Sequence, residues 1–239
     1  MPSAKAIIDE AKKTGATELD VDQQGLNKVP PELVELDTLT RLNLSHNRLS
    51  ELPETIYQLK RLETLTVYGN KLNHLPKNIN QIRTLKYLTA SNNFIDEIPQ
   101  GFGSCAALDF LDLSCNQIKE LTTNFGFLTT LRSLHLADNH LKVLPKEIGN
   151  LIALEVLVLR DNQLSELFAE IGNLKSLNHL HLQGNKLKRL PKELSATKLD
   201  SGAATLKLAG NPLDSVIVDA LADGGVPGLF TLLTSDDYE

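Results

Sequence analysis

Apolar residues recur along this chain at a spacing that changes partway through each cycle. Between Leu131 and Leu151 the order is LRSLHLADNHLKVLPKEIGNL. Its first half alternates, with Leu134 and Leu136 on one face and Ser133 and His135 on the other, as in a half-buried strand. After Asn139 the apolar spacing loosens to threes and fours through Leu144, Ile148 and Leu151. One such copy cannot bury its own apolar face. It needs neighbours, and the sequence supplies them at a fixed period.

The first leucine of each L-x-L pair stands at Leu19, Leu42, Leu65, Leu88, Leu111, Leu134, Leu157 and Leu180, every step being 23 residues. A ninth, shifted copy starts at Leu206 after three extra residues. An asparagine column runs with them through Asn47, Asn70, Asn93, Asn116, Asn139, Asn162, Asn185 and Asn211, with Gln24 standing in at the first copy. The chain must bend sharply after each strand, which leaves backbone groups unpaired inside a narrow coil. A buried amide can bond the backbone of its own turn and of the next, so the column reads as a structural ladder. The fold class that follows is α/β: a curved horseshoe with a parallel sheet on its concave face and about nine repeats.

Both ends depart from the period. Residues 1–15 carry Ala4, Ile7, Ile8 and Ala11 at helical spacing and stop at Gly15, which predicts a capping helix over the first repeat. Residues 16–213 hold the repeats. Residues 214–239, with Val216, Ile217, Leu221, Leu229, Phe230 and Leu233 apolar and Gly224, Gly225 and Pro227 as breaks, predict two short helices closing the far end. Pro53, Pro76, Pro99, Pro145 and Pro191 follow the asparagine turns on the convex side, replaced by Thr122 and Phe168 in two copies. Proline suits a segment that donates nothing to a sheet.

The chain is 239 residues long with 41% hydrophobic and 23% charged positions, which is ordinary globular usage. No run reads as a membrane span, secretory leader or myristoylation site, so membrane insertion is not expected and the compartment reads as cytoplasmic. Cys105 and Cys115 are too few to cap both ends with disulfides, and Cys105 reads as a buried small hydrophobe. A net charge of −6 disfavours a nucleic-acid surface. No phosphate-binding glycine loop, paired-cysteine metal motif, zinc helix or nucleophile elbow is present, and no cofactor is expected. His135, His179 and His181 share one face of the sheet but are spaced too widely to converge on a metal. The chain reads as a non-enzyme.

What remains is the outward face of the strands. One column reads Glu18, Arg41, Thr64, Tyr87, Phe110, Ser133, Val156, His179, Thr205, and the next reads Asp20, Asn43, Thr66, Thr89, Asp112, His135, Val158, His181, Lys207. A third, at the strand mouths, includes Tyr68, Arg160 and Gln183. Tyr68, Tyr87, Phe110, Val156 and Val158 are apolar with no core to join. Only 5% of the chain is aromatic, yet three aromatic rings fall here. Aromatic and arginine anchors ringed by polar groups describe a protein-binding surface.

Beyond the period itself, longer stretches are distinctive: GFGSCAALDFLDLS at 101–114, FLTTLRSLHLADN at 127–139, LRDNQLSELFAEIGNL at 159–174, LHLQGNKLKRLPKEL at 180–194 and GVPGLFTLLTS at 225–235. On these the chain resembles the intracellular leucine-rich repeat proteins related to Ras signalling, and within them the Ras suppressor protein family. The resemblance implies a leucine-rich repeat solenoid that docks the last LIM domain of a PINCH-like adaptor on its concave face, at integrin adhesion sites, and dampens Ras signalling. It implies a monomer within a hetero-complex. The positions that match the family's contact pattern are Asp112, Arg160, Asp161, His181 and Gln183. His135 stands where the family carries a tyrosine, and the fourth copy keeps 23 residues where the family has an insertion. With the columns, the full expected face is Asn43, Tyr68, Tyr87, Phe110, Asp112, His135, Val158, Arg160, Asp161, His181 and Gln183. A regulatory subunit using the same face on a small GTPase or a phosphatase is the alternative.

Overall fold

The computed structural model describes residues 2–236 and Tyr238. The chain falls into two compact units, Met1–Ile118 and Lys119–Glu239. In the N-terminal unit, helix α1 (Ala4–Thr14) precedes strands β1 (Glu18–Asp20), β2 (Arg41–Asn43), β3 (Thr64–Thr66), β4 (Tyr87–Thr89) and β5 (Phe110–Asp112). They pair in parallel and in sequence order, with Leu19, Leu42, Leu65, Leu88 and Leu111 in register. The C-terminal unit repeats the arrangement with β6 (Ser133–His135), β7 (Val156–Val158), β8 (His179–His181) and β9 (Thr205–Lys207), followed by helix α2 (Ser215–Leu233). There Leu134, Leu157, Leu180 and Leu206 are in register. Each unit is a solenoid of the expected class, with its core between the strands and the return segments.

The strands stop after three residues because the chain has to turn. In copy after copy the residue just before the asparagine column takes a left-handed backbone: Gln23, His46, Gly69, Asn92, Cys115, Asp138, Asp161, Gly184 and Gly210. The asparagine then closes the turn. Asn93 donates from Nδ2 to the carbonyls of Val67 at 3.0 Å and Ala90 at 3.1 Å, and its Oδ1 accepts from Leu72 N–H at 3.0 Å. Asn162 does the same in the other unit, donating to Leu136 at 2.8 Å and Leu159 at 3.1 Å and accepting from Leu141 at 3.0 Å. These amides are buried, and each ties the end of one strand to the strand before it.

The return segments are single turns of 3₁₀-helix, such as Glu54–Gln58, Lys146–Asn150 and Ala169–Asn173. Each opens on a residue that accepts one hydrogen bond and donates none to the turn. Ile148 N–H reaches Pro145 O at 3.0 Å, Phe125 N–H reaches Thr122 O at 3.0 Å and Ile171 N–H reaches Phe168 O at 3.1 Å. Only a carbonyl and an extended ψ are needed there, so Thr122 and Phe168 replace proline without loss. The turns of the C-terminal unit pack closely: a Cβ on Gly126, Gly149 or Gly172 would run into the carbonyl oxygen of Glu147, Glu170 or Glu193.

Helix α1 starts on Ser3, whose side chain accepts from Ala6 N–H at 3.3 Å, and ends on left-handed Gly15. It lays Ala4, Ile8 and Ala11 on the first repeat. Helix α2 breaks at Gly225, where the backbone is non-helical, and buries Ile217, Leu229, Phe230 and Leu233. Val216, grouped by sequence with the apolar positions of this end, is exposed, as is Val218. By length and composition alone α2 is apolar enough to cross a membrane, but its backbone is broken at Gly225. Beyond it, the Tyr238 hydroxyl donates to Leu190 O at 2.6 Å and accepts from Leu190 N–H at 3.1 Å, with the Arg189 guanidinium over the ring. Cys105 is packed inside its repeat, and burial pushes its thiol up to about 12.

Two variants test this account. Asn93→Leu leaves Leu72 N–H unpaired in a buried site and takes one of two amide donors from each of the Val67 and Ala90 carbonyls, which keep Asn70 and Asn116, so unfolding should cost about 2 kcal/mol less. That corresponds to a fall in Tm of roughly 4–8 °C for a chain of this size, and a wild-type melting curve would refute the ladder. Gly149→Ala should lose about 1–3 kcal/mol by overpacking, while Gly202→Ala, with nothing within 4 Å, should melt like wild type.

Candidate protein-binding faces

A strand in a parallel sheet sends alternate side chains to opposite faces. The leucines point into the core, so the flanking residues of each strand form the open face. In the N-terminal unit, β4 and β5 pair Tyr87 with Phe110, and the rings lie 6.5 Å apart in a tilted stack. Tyr87 is 44% exposed and Phe110 is half-buried. Tyr68 joins the same face at the mouth of β3. The His46 ring packs edge-on against it at 5.0 Å, and Asn92 donates to its hydroxyl at 2.9 Å. Asp22 in turn meets His46 Nδ1 at 2.9 Å.

Asp112 and Asn43 are held by their own turns. Asp112 Oδ1 accepts from Ser114 N–H at 2.9 Å while its other oxygen accepts from the Ser91 hydroxyl at 2.8 Å. Asn43 Oδ1 accepts from both the N–H and hydroxyl of Ser45, at 3.0 and 2.6 Å, and its amide donates to Asp20 at 3.0 Å. Such a turn orders the carboxylate before any partner arrives. The result is two aromatic pairs, His46 with Tyr68 and Tyr87 with Phe110, in a unit that also fixes Asp112 in place.

The face of the C-terminal unit carries a braced arginine and three histidines. Arg160, at the mouth of β7, is gripped from two sides: Asp161 Oδ2 at 2.6 Å from NH1 and Asp138 Oδ2 at 2.9 Å from NH2. About half the side chain stays exposed, and a surface pair of this kind orients more than it stabilises. His135 Nε2 lies 2.8 Å from the Ser133 hydroxyl. On β8 and β9 the Thr205 hydroxyl is shared, 2.9 Å from His179 Nδ1 and 3.2 Å from His181 Nε2. Burial is the main cause that pulls the His181 pKa down, helped by Lys207, His179, His135 and Arg160.

Val158 does not belong to this open face. Though it sits at an outward position of β7, it is buried at 9% exposure, between the neighbours His135 and His181 in the sheet register. Gln183 is half-buried, and its Oε1 is shut off from solvent without a hydrogen-bond partner. The mouth column is also less open than its sequence suggested: Ser45, Ser91 and Ala137 are buried. The residues missed by the column reading are those with the left-handed backbone. His46, Asn92 and Asp138 stand one residue before the asparagine column and place a ring or polar group against Tyr68 or Arg160; Asp161, expected from the resemblance, stands at the same offset and also meets Arg160. Enrichment of Gly, Asn and Asp at that offset was the available signal.

Among the described residues no group of three or more histidine, cysteine or acidic side chains could hold a metal. A groove of about 410 Å³, lined by Glu166, Lys188, Arg189, Lys192 and Tyr238 among others, includes no strand residue of either face.

The comparisons with known proteins place this geometry. The chain matches a leucine-rich repeat region over residues 69–158 and 122–201, and a leucine rich repeat over 14–72. No curated protein matches it. Among solved structures it is similar to a leucine-rich repeat protein of Leptospira interrogans, at 33% identity and TM-score 0.69, covering 88% of this chain and 58% of that one. It is similar too to the ectodomain of the Arabidopsis thaliana membrane receptor kinase GASSHO1/SCHENGEN3, solved in complex with CASPARIAN STRIP INTEGRITY FACTOR 2, at 38% identity and TM-score 0.65 over 71% of this chain and 21% of that one. The functional domain of InlJ from Listeria monocytogenes shares the fold at 21% identity and TM-score 0.68, over 82% of this chain and 40% of that one. The chain therefore spans less than two thirds of the length of each. With leucine-rich repeat models covering most of its length, the chain belongs to the leucine-rich repeat family, whose members generally bind other proteins.

Proposed function

We propose that this protein is a non-enzymatic scaffold that docks a LIM domain of a PINCH-like adaptor on its strand faces, in cytoplasmic adhesion and Ras signalling. The observation that carries the docking reading is that each unit presets its own anchors: Tyr87 stacked on Phe110 in the N-terminal unit, and Arg160 aimed by Asp138 and Asp161 in the C-terminal unit. Anchors held before binding lose little entropy when a partner arrives, which is the usual source of affinity at such surfaces. Arg160 keeps donors to spare, since a guanidinium has five and two are engaged. The LIM-type partner is supported by the resemblance to the Ras suppressor family at Asp112, Arg160, Asp161, His181 and Gln183. The plant ectodomain, bound to its factor, supports use of the repeats for a protein ligand.

The test is a calorimetric titration of a purified LIM-domain fragment of a PINCH-like adaptor. Arg160→Ala and Tyr87→Ala should each lose about 2 kcal/mol, roughly a thirtyfold weakening, while Lys192→Ala, away from the strand faces, should bind like wild type. Circular dichroism checks that each variant is folded. Equal binding by all three would remove the strand faces as the site, and no binding by wild type would remove the LIM partner in favour of another, such as a small GTPase.

A further inference from the structure

Among the described residues, no acidic side chain is among the charged groups acting on His181 in the strip that His179, His181 and Lys207 form on β8 and β9. Arg160 is matched by Asp138 and Asp161, but the charged or titratable groups acting on His181 are Lys207 and His179 beside it, His135 across β7, and Arg160. Every one of these is positive when charged. On the other side, His179 and His181 stand in register with Val156 and Val158 of β7.

The shared hydroxyl adds a constraint on protons. Thr205 Oγ1 stands 2.9 Å from His179 Nδ1 and 3.2 Å from His181 Nε2, and a hydroxyl carries one hydrogen. It can donate to at most one ring, and it accepts from the other or from both. If it accepts from His179 Nδ1–H and donates to a bare His181 Nε2, the remaining proton of the neutral pair sits on His181 Nδ1. The reverse assignment puts it on His179 Nε2, and acceptance from both rings leaves neither second nitrogen protonated. In every assignment two neutral rings offer at most one N–H between their second nitrogens. Two N–H donors there require a proton from solution, which burial and the positive neighbours oppose at His181. A carboxylate would supply the missing charge and use both donors.

We propose that the His179–His181–Lys207 strip is the subsite for an acidic side chain or acidic peptide segment of the protein partner, and that docking there takes up a proton. The proposal rests on the reading of the strand faces as a protein-binding surface, but not on the partner being a LIM domain. Binding should therefore tighten as pH falls, because the complex holds more protons than the free components between pH 7.5 and 6.0.

The probe is a capped pentaglutamate peptide, with capped pentaglutamine as control, titrated while the histidine ring resonances are followed by NMR. Pentaglutamate should raise the apparent pKa of His181 by about half a unit or more and bind roughly fivefold tighter at pH 6.0 than at 7.5. Pentaglutamine should do neither. His179→Gln with His181→Gln should abolish the pH dependence. Thr205→Val unlocks the two rings and should shrink it, while Thr205→Ser should restore it. Unchanged histidine titration with pentaglutamate overturns the proposal. So does a LIM fragment that binds wild type and the double variant alike at both pH values, a result that leaves the LIM reading standing. Pentaglutamate binding with no LIM binding has the opposite meaning: the acidic subsite holds and the LIM partner falls.

Discussion

The interaction on which each unit depends is the buried amide of the asparagine column. A strand of three residues makes too few ladder hydrogen bonds to hold its neighbour alone, and the left-handed turn that follows exposes more backbone. One amide answers both demands. Asn93 ties the turn after β4 to the strand ends of β3 and β4 and to Leu72 N–H of the copy before, and Asn185 repeats this between β7 and β8. Stability is thus passed from copy to copy, as in any array whose members contact only their neighbours. Where the array ends, other groups take over. Helix α1 covers the first repeat, and near the other end one hydroxyl, on Tyr238, satisfies both backbone groups of Leu190.

That division of labour frees the outward strand positions. Nothing in the repeat needs Tyr87, Phe110, Arg160 or His179, so their identities vary from strand to strand while the leucines beside them do not. The two units use this freedom differently. The N-terminal one presents aromatic rings and a carboxylate fixed by its own turn. The C-terminal one presents a braced guanidinium and a histidine pair tied through a threonine. Both arrangements are ordered before a partner binds, and a scaffold gains affinity in that way without any moving part.

Much of this was legible in the sequence. The period, the leucine register and the positions of the faces follow from spacing alone, because a side chain's face in a strand depends only on whether its place is odd or even. The asparagines could be read because a polar residue recurring inside an apolar repeat has to be paired. Other features needed the folded chain. Val158 has the parity of an exposed residue, but it is small and stands between two imidazoles, which cover it. Asp138 lies in the copy before Arg160 and meets it only because the left-handed turn directs its side chain there. The histidines form a pair through Thr205, a residue of the shifted ninth copy, 26 residues from His179 rather than 23. Periodicity settles which residues share a face. Which of them touch, and which are shielded, depends on side-chain size and turn geometry, and only packing in three dimensions decides that.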